Sequence, residues 1–67
     1  MKIQDLIESL QIVQKYVDKD EYCIAAEHDE IWVGDHSVPG QMTAEDRKRM
    51  RALGWMCNKD EAWRAFT

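Results

Sequence analysis

An α+β fold is predicted, with two helices packed on one side of an antiparallel sheet in the order α-β-β-α-β-β. Three features of the chain point to it. Apolar residues recur at helical spacing over residues 3–17. Residues 22–34 and 55–66 each hold two short β-prone runs around a polar centre. A hydroxyl followed by carboxylates at Thr43, Glu45 and Asp46 marks a second helix start.

The first helix rests on Ile3, Leu6, Ile7, Leu10, Val13 and Val17, whose three- and four-residue spacing puts one stripe on one face. Ile12 and Tyr16 widen that stripe, which favours a broad partner such as a sheet over a single neighbouring helix. The polar run Asp18-Lys19-Asp20-Glu21 ends it.

Residues 22–34 read YCIAAEHDEIWVG, a β-hairpin turning near His28-Asp29 or Asp29-Glu30. Alternation then puts Ile24, Ala26, Ile31 and Val33 on one face, expected to meet the helix, and Cys23, Ala25 and Trp32 on the other. Residues 35–41 form a loop in which Val38-Pro39-Gly40 suits a type II turn, because proline presets one dihedral and glycine accepts a positive one.

Thr43 caps the second helix, Glu45 and Asp46 sit where the helix dipole is positive, and Arg47, Lys48, Arg49 and Arg51 follow toward its negative end. Gly54 stops it as a left-handed cap, and Met50 and Leu53 are its main apolar anchors. Residues 55–66, WMCNKDEAWRAF, form the second hairpin about a polar centre at 58–61. His28-Asp29-Glu30-Ile31-Trp32 and Lys59-Asp60-Glu61-Ala62-Trp63 resemble each other, a hint of internal repetition.

The 67 residues are enough for one domain (1–67), and 45% apolar with 33% charged residues is the balance of a folded chain. A core this small leads us to expect marginal stability or homo-oligomerisation. No apolar run approaches the roughly 20 residues that span a bilayer, and no signal-peptide apolar region opens the chain, so a cytoplasmic protein without membrane contact is expected. Cys23 and Cys57 are then expected as reduced thiols.

Catalytic and metal chemistry lack a motif. His28, Asp29, Asp35 and His36 lie close in sequence, but no Cys-x-x-Cys and no histidine pair at helical spacing accompanies them, so no metal is expected. Cys23 or Cys57 with a histidine is a formal nucleophile and base, yet both cysteines sit in apolar runs where inert thiols are the common case. Gly34, Gly40 and Gly54 are scattered, so no phosphate loop and no cofactor are expected. The expectation is a protein that is not an enzyme.

Charge is more informative. Arg47, Lys48, Arg49 and Arg51 would suit phosphate contacts, but the chain carries 13 acids against 9 bases, net −4, which argues against direct nucleic-acid contact. Between Asp18 and Asp35 the acids Asp20, Glu21, Glu27, Asp29 and Glu30 are opposed by Lys19 alone. Such a patch either keeps turns solvated or steers the protein onto a basic surface. With Trp32 turned away from the helix, the candidate partner-binding residues are Asp20, Glu21, Glu27, Asp29, Glu30, Trp32 and Asp35.

On those residues the chain resembles small proteins encoded by phages and prophages. The likeness is carried by an N-terminal helix, a segment like Ala26-Glu27-His28-Asp29-Glu30-Ile31-Trp32-Val33-Gly34, an acid-led helix ending Leu53-Gly54-Trp55, and an acid-rich aromatic tail. It spans nearly the whole chain and supplies no catalytic residue. Proteins of this size and acidity include phage inhibitors of host defence, anti-CRISPR proteins among them. The resemblance implies an inhibitor that binds a host protein, such as a nucleic-acid-binding effector, in the host cytoplasm. The alternative is a small regulatory or nucleic-acid-associated protein using the basic segment 47–51.

Overall fold

The computed structural model describes residues 1–57 and 61–67. Its elements follow the order α1 (Ile3–Gln14), β1 (Ile24–Glu27), β2 (Glu30–Val33), α2 (Val38–Gln41), α3 (Ala44–Ala52) and β3 (Trp63–Phe66). The strands form one antiparallel sheet in the order β1-β2-β3.

The α+β class stands, with two corrections to the expected order. The first arm of the second hairpin is not a strand: it contributes one antiparallel bridge, Met56 to Arg64, closed by two 2.8 Å hydrogen bonds. The second arm, β3, pairs with β2 instead, and of the expected polar centre at 58–61, residues 58–60 lie outside the described residues. The second correction is α2. Its backbone is helical where a type II turn was expected, and Gly40 is not among the residues with positive φ. Proline loses nothing in a first helical turn, where its missing N–H has no partner to give up, and Val38 and Pro39 are buried there.

The first hairpin follows its pairing pattern, but β1 does not meet the helices as expected: Ile24 and Ala26 are exposed, because α1 turns Ser9, Ile12 and Val13 inward elsewhere. Ile24 pairs with Val33, Ala25 with Trp32 and Ala26 with Ile31, around a two-residue turn in which His28 takes φ 53°, a region histidine enters more readily than most residues. Val33 next pairs with Trp63 and Ile31 with Ala65, so these side chains share the inner face. Val33, Trp63 and Ala65 are buried there against Ile12 and Val13 of α1, Val38 of α2 and Met50 of α3.

α1 departs from its stripe. It ends at Gln14, short of Val17, and its buried residues are Ser9, Ile12 and Val13, whereas Ile3 and Ile7 are exposed. The rotation has a polar cause. The fully buried Trp55 donates its indole N–H to Ser9 Oγ at 2.6 Å, and the Ser9 hydroxyl donates to the Asp5 carbonyl at 2.6 Å. The face carrying Ser9 must therefore turn inward. Trp63, equally buried, donates its N–H to Met42 Sδ at 2.9 Å.

α3 is built as its residues require. Thr43 Oγ1 accepts the Asp46 N–H at 3.1 Å, and at the other end the Trp55 N–H returns to the Met50 carbonyl and the Gly54 N–H to the Arg51 carbonyl. That pair of bonds is a Schellman stop, and it needs a left-handed residue, here Gly54 with φ 103°. Asp46 accepts from both Lys15 Nζ at 2.7 Å and Tyr16 Oη at 2.5 Å, tying the end of α1 to the start of α3. The apparent repeat is not structural, because Trp32 lies on the outer sheet face and Trp63 on the inner one.

Candidate protein-binding surface

The outer face of the sheet carries, by register, Ala25 and Glu27 of β1, Glu30 and Trp32 of β2, and Arg64 and Phe66 of β3. The core residues of the helices pack on the opposite, inner face. Trp32 is half-buried beside Arg64, Phe66 is exposed, and Met56, bridged to Arg64, is exposed as well. The tryptophan that alternation turned away from the helices does lie on this side.

Glu27 and Glu30 stand directly opposite each other on it. Like charges in that relation destabilise a hairpin. Glu30 has a partner at the edge of ion-pair range, Arg64 at 3.9 Å, and the His28 imidazole lies 3.9 Å from Glu27.

The remaining candidates divide by what they do. Asp35 serves the fold, its Oδ1 accepting from both the Ser37 backbone N–H and the Ser37 hydroxyl, bonds that hold its carboxyl below the usual carboxylate range. Asp20 and Glu21 are exposed in the segment leading to β1, and Asp29 is exposed at the hairpin tip. The structure thus joins Glu27, Glu30 and Trp32 on one face, puts Asp29 beside them in the turn, and leaves Asp20, Glu21 and Asp35 in separate loops.

A groove of about 360 Å³ runs between α1 and β1, lined by Ile7, Leu10, Val17, Cys23 and Ile24 and bordered by Asp18, Lys19 and Glu21. The sequence does not announce it, since the periodicity of Ile7 and the alternation of Ile24 put both on core-facing sides, whereas both are exposed. Cys23 and Cys57 are free and half-buried. Among the described residues, no three potential ligands gather as a metal site.

The cations of α3 are largely occupied. Arg49 pairs with Glu8 through two hydrogen bonds, holding the Glu8 carboxyl below its usual range and raising the arginine. Arg51 lies 5.8 Å from the centre of the Trp63 ring, and Arg47 donates to the Pro39 carbonyl.

Fold and surface together define a small α+β domain with an acidic and aromatic sheet face left open by its own helices. No protein-family model, curated protein or solved structure matches the chain. No helix among the described residues is long and apolar enough to cross a membrane.

Proposed function

We propose that this protein is a non-enzymatic binding module of the phage-encoded inhibitor type. It blocks a host protein, such as a CRISPR effector or another nucleic-acid-binding defence protein, by presenting acids and aromatics to a basic groove. The observation that carries this reading is the Glu27–Glu30 pair beside Trp32. Like charges facing each other across a hairpin cost stability, and a rule of local consistency broken on an open face is characteristic of a surface kept for a partner. A basic partner neutralises both carboxylates at once. Asp29 in the adjoining turn adds to the same field.

The alternative, nucleic-acid contact through α3, is weakened by the employment of its cations. Arg47, Arg49 and Arg51 each have an internal partner, and Arg49 would have to abandon Glu8 to reach a phosphate.

The test is capture from host lysate with and without nuclease, followed by binding kinetics on the captured protein. A nuclease-resistant partner is expected, whose association slows as salt rises and slows further when Glu27, Asp29 and Glu30 are changed to lysine. Retained binding in that variant, with loss on changing Arg47, Lys48 and Arg49 to glutamate, would replace the acidic surface with the basic helix.

A further inference from the structure

We infer that the free edge of β1 and the groove beside it receive an extended segment of the partner protein, added to the sheet as a strand and alternating apolar with basic side chains. This rests on the protein-binding reading and names what is bound.

The backbone comes first. β1 ends the sheet order, and among the described residues nothing pairs on its far side. The Gly34 N–H donates to the Cys23 carbonyl at 2.8 Å, opposite each other in the β1–β2 register. In an antiparallel ladder such pairs alternate, so Cys23, Ala25 and Glu27 bond inward to β2 while Ile24 and Ala26 turn N–H and C=O outward. These are the groups that a strand-adding peptide uses. β1 is exposed along its length and has neither lysine nor proline, residues that commonly guard an edge against pairing.

Side chains come next. Ile24 and Ala26 face the helix side of the sheet, where the groove opens, so a strand paired to β1 sends every second side chain toward Ile7, Leu10 and Ile24. Ile7 is 51% exposed and Ile24 63% exposed, apolar area that such side chains would cover. Charge decides between occupants. The side chains between those apolar residues point to the outer face, where Glu27 stands with Glu30 opposite it, and Asp18 and Glu21 at the groove border exceed Lys19, so the complementary segment is basic between its apolar residues. A second copy of this chain fits poorly, since pairing at β1 would bring these acids together in two molecules of net charge −4.

The experiment is a nitrogen-15 NMR titration of the full chain with a synthetic peptide of alternating valine and lysine, and with a valine–glutamate control. Saturable binding is expected, with the Ile24 and Ala26 amides gaining protection from exchange and the control at least about tenfold weaker. Ala26→Pro removes an outward N–H without touching the β1–β2 ladder, and should weaken binding by about tenfold or more at unchanged melting temperature. Ile7→Asp, at an exposed helix position, should do the same through the groove and serves if the proline variant does not fold.

The inference is overturned by absence of saturable binding, by binding that leaves the Ile24 and Ala26 amides unprotected, or by sedimentation showing a dimer closed through β1. A lysate partner lost on reversing Glu27, Asp29 and Glu30 but kept by both Ala26→Pro and Ile7→Asp would refute strand addition and leave the acidic-surface reading standing.

Discussion

The Trp55 indole N–H meets Ser9 Oγ at 2.6 Å inside the core, 46 residues away in sequence. Ser9 is the one buried polar residue among those described, and its own proton goes to the Asp5 carbonyl, so the chain Trp55–Ser9–Asp5 is complete. Ser9→Ala strands the indole donor without an acceptor. The expected loss is about 1 to 3 kcal/mol, the cost of an unsatisfied buried group. Denaturant unfolding checks it, and a midpoint close to wild type would mean that the indole is satisfied elsewhere.

Burial on α1 makes a second prediction. Ile12 is buried and Ile7 is exposed, although both belong to the apolar set read from sequence. Ile12→Ala should cost about 2 to 5 kcal/mol and Ile7→Ala less than about 0.5 kcal/mol. Leu10, another residue of the apolar stripe, is half-buried on the groove side and should fall between them. Equal shifts for Ile7 and Ile12 in thermal melts would show that α1 is rotated differently.

Asp46 governs acid stability. Its hydrogen bonds from Lys15, then Tyr16, hold its carboxyl below the usual carboxylate range, while Lys15 is raised by the same contact. A carboxyl with a depressed folded pKa contributes stability that is fully present above its unfolded value, about 3.9, and is lost as pH falls through the folded value. The raised Lys15 contributes below its unfolded value and loses that contribution only at strongly alkaline pH. Stability should therefore decline below about pH 4, and Asp46→Asn should be less stable near neutrality with a shallower acid decline. A variant whose acid profile parallels wild type would contradict this.

Relief of the Glu27–Glu30 opposition gives the fourth prediction. Glu27→Lys places a cation opposite Glu30 and should stabilise the hairpin by about 0.2 to 1 kcal/mol at low salt. If the acidic surface binds as proposed, the same variant should associate with its partner more slowly. Gains in melting temperature coupled to lost association would show that stability was given up on this face; a destabilised variant would mean that Glu27 has a structural role.

Local chemistry was legible in the sequence because it is decided within a few residues. Thr43 caps α3 and Gly54 ends it for reasons contained in the segment 43–55, and the alternation of Ile24, Ala26, Ile31 and Val33 sets the faces of the first hairpin whatever packs against it. Which strand β3 joins, and which side of α1 turns inward, depends on groups far apart in the chain. Trp63 aligns with Val33 and is buried among the helices, and the described residues before it contribute one bridge, at Met56. Trp55 cannot be buried without an acceptor, and Ser9 supplies one, so a polar residue enters the core while Ile7 stays out. The acids of the proposed binding surface were visible as composition. That Glu27 opposes Glu30 beside Trp32, and that β1 ends the sheet of the described residues next to a groove, required the register and strand order, because hydrogen-bond pairing and not hydrophobicity decides which residues face one another.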